Sequence, residues 1–437
     1  MLGVTHDDVT RTDSAGRTAL HYAAAADSDG RTIQLLLQQG SEPTRLDDAG
    51  YSALHLAAAS GHRAGLDLLL DTRGARAVVG AVGDRCLRPA PLHLAAFHGH
   101  LANLINLMAM MDNVSLRDDQ GRTALHLAAG RGNLSCVLCL LEQKADIDTC
   151  DDRGRSPLHA AVAAGHKDCA RALLRQLLAR LQLPPLESSE LRQLLAESKT
   201  VKMCPELDEV VNKKDGTGRT PLMLAVENGS AELVLLLLVH GARPGLADAE
   251  GRTALFRAAA SGAEESVDAL LSCTDCDPLA RDVLGKTAVH LAAAAGHVLV
   301  LGSLLQAVGR GRVDDLLDEQ GCTPLHWACY NGHEACAELL LQYSESRTLR
   351  GCPFSPLHAA VYQGSEPCLV LLVAHSRAVA VRLAQRAARS DALNVTDSQL
   401  QTYVCRPIHG TLLPVAVSRA APAVFNSAGV RMYADGP

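Results

Sequence analysis

Apolar positions in this chain come in pairs of short runs. The first run of a pair sets a leucine three and four residues ahead of two alanines, as in Leu125, Ala128 and Ala129. The second is denser, as in Val137, Leu138, Leu140 and Leu141. Spacings of three and four residues mark one face of a helix, so each run predicts a short amphipathic helix and not a strand. A glycine stands between the two runs, and a polar segment holding Asp and Gly separates one pair from the next. Helices this short are marginal alone, so the pairs must bury their faces on one another.

The pair is a repeat. A tetrapeptide of the Thr-Pro-Leu-His kind begins at Thr18, Ser52, Ala90, Thr123, Ser156, Thr220, Thr253, Thr287, Thr323 and Ser355. Its spacings are 34, 38, 33, 33, 64, 33, 34, 36 and 32 residues. Nine of the ten units carry Gly nine residues after the motif start, from Gly61 to Gly364. Eight carry Gly two residues before it and eight carry Asp five residues before it. Each position has a mechanical use. The Thr or Ser hydroxyl caps a helix N-terminus. Proline, as in Pro157, Pro221, Pro324 and Pro356, suits the first helical position, where its missing N–H costs nothing. The later glycine ends the first helix in the left-handed conformation. The Asp-x-x-Gly element reads as a tight turn between units.

Two stretches resemble the ankyrin repeat family almost residue for residue: Gly121-Arg-Thr-Ala-Leu-His-Leu-Ala-Ala129 and Thr323-Pro-Leu-His-Trp-Ala-Cys-Tyr-Asn-Gly-His333. The resemblance covers about residues 13–375. It implies an all-α solenoid of about ten helix-turn-helix units joined by β-turns or hairpins. On that reading residues 1–375 are the array and 376–437 a divergent, poorly ordered tail, with no period after Ser398. The 64-residue interval carries an insert at about 175–212, whose Ser188-Ser189-Glu190-Leu191 is expected to cap a helix after an exposed loop. Asp27-Ser28-Asp29-Gly30 lengthens the turn of the first unit. Neither end shows a clear polar capping repeat, which points to a segment or variant of a longer array.

Composition narrows the function. Half the chain is apolar but only 3% is aromatic, and a net charge of −7 fits neither a nucleic-acid-binding nor a disordered acidic protein. No apolar run approaches the roughly 20 residues that span a bilayer, so direct membrane insertion is not expected, and no signal peptide is visible. Fourteen cysteines without one suit a reducing compartment, cytoplasmic or nuclear. The CxxC pairs Cys136/Cys139 and Cys273/Cys276 lie too far apart in sequence to favour a four-cysteine zinc site. Cys136, Cys169, Cys336 and Cys368 each stand 13 residues after a motif start, the register of a small buried residue. Of 18 histidines, eight are the fourth motif residue and five follow the helix-ending glycine, which leaves little for catalysis or metal. Gly285-Lys286-Thr287 lacks the earlier glycine of a phosphate loop, since Ala280 stands there. The expectation is a non-enzyme without cofactor or metal.

Partner-binding candidates are therefore surface residues that vary from unit to unit. The residue before the motif is basic at Arg17, Arg122, Arg155, Arg219, Arg252 and Lys286, which would form a row facing an acidic partner. Local pairing with the recurring turn aspartates is the favoured alternative. Tyr51 at a turn tip, Phe97, and Trp327 with Tyr330 are the aromatic candidates, because interface hot spots favour such side chains. Packing of Trp327 on the tenth unit is an equal expectation.

Further stretches look like one subfamily, the ankyrin-repeat regulatory subunits of protein phosphatase 6. They are His326-Trp-Ala-Cys-Tyr-Asn-Gly-His-Glu334, Pro91-Leu-His-Leu-Ala-Ala-Phe-His-Gly-His100, Thr220-Pro-Leu-Met-Leu224 and Phe354-Ser-Pro-Leu-His358. This resemblance implies a scaffold that joins the phosphatase 6 catalytic subunit, through another regulatory subunit, to substrates. The insert and the tail depart from the subfamily pattern. A generic adaptor for membrane or cytoskeletal proteins, or a fragment of a larger ankyrin-containing enzyme, are the rival readings.

Overall fold

A computed structural model describes residues 9–72, 74, 89–111, 113–182, 205–309, 312–344, 355–376, 424–425 and 431–432. The first five units are the helix pairs α1 (Ala19–Ala26) and α2 (Arg31–Gln38), α3 (Ala53–Ser60) and α4 (Arg63–Leu70), α5 (Pro91–His98) and α6 (Leu101–Met108), α7 (Ala124–Arg131) and α8 (Leu134–Glu142), α9 (Pro157–Ala163) and α10 (Lys167–Arg180). After α11 (Pro205–Val211) come α12 (Pro221–Glu227) and α13 (Ala231–Val239), α14 (Ala254–Ser261) and α15 (Glu264–Leu271), α16 (Ala288–Ala295) and α17 (Val298–Val308), α18 (Pro324–Tyr330) and α19 (Glu334–Tyr343), then α20 (Pro356–Gln363). First helices pack on first helices and second on second along the series. The solenoid is all-α, as the repeat predicts.

The core lies between these two layers. The first-helix alanines at the sixth motif position, such as Ala57, Ala95, Ala128 and Ala161, are wholly buried. Their small size lets neighbouring helix axes approach closely. The second helix contributes the bulk, with Leu66, Leu104, Leu140 and Leu237 also wholly buried. Cys136, Cys169, Cys336 and Cys368 are buried at one shared register. Burial pushes the Cys136, Cys169 and Cys336 thiols up to about 11, so they behave as small apolar residues and not as nucleophiles. Among the described residues no group of three or more His, Cys, Asp or Glu could hold a metal ion.

Four motif histidines, His21, His93, His126 and His290, tie their unit to the next. The Thr123 backbone N–H donates to His126 Nδ1 at 3.1 Å, and the Thr123 hydroxyl lies 2.9 Å from the same nitrogen. A backbone N–H can only donate, so Nδ1 must be the lone-pair nitrogen and Nε2 carries the proton. Nε2 then donates to the Arg155 carbonyl of the following unit at 3.0 Å. His21 reaches Tyr51 in the same way, His93 reaches Leu116 and Arg122, and His290 reaches Cys322. The hydroxyl therefore serves the imidazole first. Among the described residues, Ser156, Thr220, Ser230 and Ser355 also accept a helix N–H at 3.4–3.5 Å, the cap read from sequence.

The residue after the helix-ending glycine ties backward. His100 Nε2 meets the Ala59 carbonyl at 2.9 Å, and Asn133 Nδ2 donates to the Ala96 and Phe97 carbonyls. These rings lie on the preceding glycine. At Gly132 a Cβ would stand 2.6 Å from His166 Nδ1, and φ is +78°, so glycine is required twice over.

The turns form a second continuous tie. Asp118 Oδ1 accepts the Gln120 and Arg122 N–H groups, and Asp152 N–H donates to the Gln120 carbonyl of the unit before. The ladder runs on through Gly216 to Arg153, Ala249 to Thr217, Val283 to Glu250 and Glu319 to Leu284. The fifth and sixth units are thus direct neighbours although their motifs start 64 residues apart. The expected loop needs correction at both edges. Residues 175–180 prolong α10, and α11 ends the insert with Leu207, Val210 and Val211 buried. Asn212 donates to the Gly241 carbonyl and Lys213 to the Asp148 carbonyl, which anchors the return. The expected cap at Ser188–Glu190 lies outside the described residues. At this junction His159 faces the Lys213 and Arg219 carbonyls, yet its Nε2 is outside hydrogen-bonding geometry.

The chain divides into two compact units, Met1–Leu371 and Leu372–Pro437. In the second, Val424–Phe425 pairs antiparallel with Arg431–Met432. A two-residue ladder is too short to leave a period in sequence, so the tail's lack of pattern did not predict it. The remaining tail residues after 376 lie outside the described residues.

Burial pushes the imidazoles of His55, His126, His159 and His290 down to about 4. The unfolded chain takes up their protons near pH 6.5 and the folded chain only near 4. Stability is therefore complete above about pH 6.5 and falls through that window, by up to about 3 kcal/mol per histidine. Asp47 and Asp215 act lower: burial opposes ionisation there, but hydrogen bonds from Tyr51 and Arg17, or from Thr217 and Arg219, outweigh it. Urea midpoints measured against pH should fall before any carboxylate titrates, and His126→Gln should flatten that limb. Gly132→Ala should cost about 2 kcal/mol or more at neutral pH, read from the same urea titration.

Candidate functional site

The turn aspartate is the pivot of the exposed surface. Its Oδ1 holds the turn backbone, and its Oδ2 is left facing whatever basic or polar group the unit supplies. Arg122 reaches Asp118 Oδ2 with Nε and Nη2, both at 2.8 Å, and Arg155 and Arg219 grip Asp151 and Asp215 likewise. Arg17 turns instead to Asp47 of the following unit at 3.3 Å. The basic row exists, but these four members spend their charge on carboxylates that are nearly out of water.

The seventh and eighth units break the pattern. Asp248 Oδ2 is held by Arg257 at 2.6 Å, and Arg257 also binds Glu227 of the sixth unit. Arg219 lies 3.7 Å from Glu227 as well, so one ion network joins the sixth and seventh units. Burial pushes the Arg257 guanidinium down, with Arg219 adding to it. Displaced from Asp248, Arg252 pairs with Glu250 at the exposed turn tip. Lys286 lies over the Trp327 ring, 3.8 Å from its centroid, and burial pushes its ammonium down.

Trp327 belongs to a wider device that sequence reading missed. Its indole N–H donates to Asp318 Oδ2 at 3.0 Å, nine residues back. Tyr22 donates to Asp13 and Arg257 to Asp248 at the same separation. A phenol, a guanidinium and an indole thus fill one motif position and satisfy one turn carboxylate. Aligning the fifth motif position across units was the available signal, since Tyr22, Arg257 and Trp327 are its polar-tipped members.

Of the aromatic candidates, Trp327 and Tyr330 come together, with ring centroids 6.4 Å apart at 70°. Tyr330 then stacks on Tyr362 of the tenth unit at 5.9 Å and 13°, a residue not singled out in sequence. The expected packing of Trp327 against the tenth unit is thus supplied by Tyr330, while Lys286 draws the Trp327 face toward the eighth. The result is a surface of Lys286, Trp327, Tyr330 and Tyr362 drawn from three units. Phe97 instead carries Arg131 4.5 Å from its ring centroid. Tyr51 meets His55 edge-on at 5.6 Å.

With this geometry in place, comparison with known proteins bears on the same residues. A family model described as ankyrin repeats in three copies matches residues 2–79, 92–182, 190–282 and 274–350. The chain belongs to the ankyrin repeat family. Ankyrin repeat domain-containing protein 63 from Homo sapiens is 38% identical over 136 residues, which is 30% of this chain and 36% of that protein. Transient receptor potential cation channel subfamily A member 1, also from Homo sapiens, is 31% identical over 137 residues, 31% of this chain and 12% of the channel. Ankyrin repeat protein nuc-2 from Neurospora crassa is 35% identical over 138 residues, 31% of this chain and 13% of its own length. The chain spans about a third or less of the length of these relatives. Ankyrin repeats are protein-binding and generally non-catalytic. No helix among the described residues is long and apolar enough to cross a membrane.

The two kinds of ion pair in this ankyrin array predict different costs. Arg257→Met strands Asp248, whose side chain is 3% exposed, and should cost about 3 kcal/mol in a urea titration. Arg252→Met removes only a pair exposed on both sides and should cost about 0–1 kcal/mol.

Proposed function

We propose that this ankyrin chain is a non-catalytic interaction scaffold, and more specifically a regulatory subunit that recruits partners or substrates to protein phosphatase 6 complexes. The observation that carries the scaffold reading is the division of labour within each unit. Motif positions that build the array are buried and satisfied by neighbouring units. The residue before the motif and the eighth motif position reach the surface among the described residues, as does the fifth at Tyr22, Arg257 and Trp327, and they differ in chemistry from unit to unit. Function in a repeat protein resides on such variable surfaces.

The binding surface assigned here is the Lys286, Trp327, Tyr330 and Tyr362 patch, extended by Arg252. Aromatic groups held rigid by their neighbours bury much area for little lost entropy. Arg122, Arg155 and Arg219 orient the turns, while Phe97 with Arg131 and Tyr51 are secondary contact points. The phosphatase 6 assignment rests on the resemblance of residues 326–334, 91–100, 220–224 and 354–358 to that subfamily. Its partners would be the catalytic and regulatory subunits of that phosphatase, in the cytoplasm or nucleus.

The test is affinity purification of the tagged chain from cells with mass spectrometry of the recovered proteins. The expected outcome is recovery of phosphatase 6 subunits, reduced at least fivefold by Tyr330→Ala combined with Tyr362→Ala, on the order of 1 kcal/mol. Recovery of membrane-skeleton proteins in their place would overturn the phosphatase assignment. Partner recovery unchanged by the double variant would remove the patch from the binding surface.

A further inference from the structure

The two CxxC pairs lie in different settings. Cys136 and Cys139 share helix α8, with Cys136 buried in the core. Residues three apart on a helix hold their Cβ atoms about 5–6 Å from one another. A disulfide needs them about 3.5–4.5 Å apart, so that pair cannot close without distorting its helix. Cys273 and Cys276 follow the end of α15. The Cys276 backbone N–H donates to the Cys273 carbonyl at 3.3 Å, with Thr274 and Asp275 forming the bend between them. A turn closed in this way keeps its end Cα atoms within about 7 Å, and disulfides span roughly 4.4–6.8 Å.

Neighbouring groups hold this turn in place. The Cys273 backbone N–H donates to the Leu270 carbonyl at 3.1 Å, and its thiol donates to the Ala269 carbonyl at 3.5 Å. The Asp275 carbonyl lies against the connector that follows α13, where a Cβ on Gly245 would stand 2.8 Å from it. Thr274 and Asp275 are exposed, and both cysteines are partly exposed, unlike the buried Cys169 and Cys336. A reagent in solution can therefore reach two thiols that the backbone keeps together.

Burial still pushes the Cys273 thiol up, and it pushes Cys276 up to about 12, with Cys273, Asp277 and Asp275 adding to it. Dithiols that give strongly oxidising disulfides are those whose thiolate is stabilised. Neither thiolate is stabilised in this turn, so the balance moves toward the disulfide while exchange is slow.

We propose that Cys273 and Cys276 form a thiol–disulfide exchange site that closes to an intramolecular disulfide at the expense of a low-molecular-weight disulfide such as glutathione disulfide. The Cys273 thiol gives its proton to solvent, and the thiolate attacks one sulfur of the reagent. The reagent's S–S bond breaks, one thiolate leaves, and Cys273 is held in a mixed disulfide. Cys276, its proton likewise given to solvent, attacks the Cys273 sulfur and expels the second thiolate. The two departing thiolates take up two protons, so the chain has lost two electrons and two protons and the reagent has gained them. The site lies on the segment that leads from α15 to the turn of Asp282 and Lys286, and its chemistry does not depend on which partner the array binds.

The test equilibrates the reduced full chain, without oxygen and at mildly alkaline pH, in buffers of varied glutathione to glutathione disulfide ratio. Samples are quenched with acid, denatured, alkylated and digested for mass spectrometry. The peptide carrying Cys273 and Cys276 should lose two hydrogens and escape alkylation, while Cys136 and Cys139 remain alkylated. The closed-to-open ratio of the first pair should exceed that of the second at least about tenfold in the native chain and converge on it in urea, where turn and helix are lost together. Cys276→Ser should stop at a glutathione adduct on Cys273, with circular dichroism verifying its fold. Full alkylation of Cys273 and Cys276 in the most oxidising buffer overturns the proposal, as does an adduct in the wild type that never resolves to the disulfide. Equal closure of the two pairs in the native chain overturns it too, since the turn would then contribute nothing.

Discussion

A buried motif histidine that bridges two units, as His126 and His290 do, has to remain neutral, because one ring nitrogen receives the N-cap backbone N–H and the other must hold a proton to give the next unit. Protonation would put two donors face to face at Nδ1 and place a charge among groups with little water. Burial supplies the means of keeping it neutral, pressing His126 and His290 to about 4. The same ring therefore orders the start of its own helix and sets the distance to the neighbouring unit. Helices of seven or eight residues, too short to persist alone, are held by bonds that exist only when a neighbour is present. Local order and stacking become one event.

The turn aspartate is the second constraint, and it explains why chemistry can vary on the outer surface without loss of the fold. Oδ1 is committed to the turn in unit after unit, as at Asp118, Asp151, Asp215, Asp248 and Asp318. Oδ2 accepts from any donor that reaches it. An arginine just before the motif, or an indole, phenol or guanidinium at the fifth position, satisfies it equally. Where the fifth position takes the task, the residue before the motif is released, as Arg17 and Arg252 are. The variable surface is thus produced by a fixed requirement that has several chemical solutions.

Stacking by nearest neighbours also explains the tolerance of the array to insertion. The ladder from Arg153 to Gly216 continues across the insert because only the two flanking turns need to meet. The insert leaves and returns through helical ends anchored by Asn212 and Lys213. At this junction the His159 Nε2 bond does not close, so the turn ladder and the anchored return carry the tie.

Periodicity alone determined the repeat, the two helices of each unit, the position of the turns and the buried register of the cysteines, because those features depend on residues within one unit or at a fixed offset from it. The role of Gly132 as a helix end was legible in the same way, but the imidazole of His166 against it was not. The pairings at the surface required the tertiary structure. In sequence Arg252 differs from Arg155 by the Arg257 at its unit's fifth motif position, but that Arg257 takes the aspartate is seen only in the structure. Nothing near Tyr330 announces Tyr362, which lies in the next unit. Which donor wins a shared carboxylate, and which ring meets which across units, are decided by competition and contact in three dimensions, and a one-dimensional pattern carries neither.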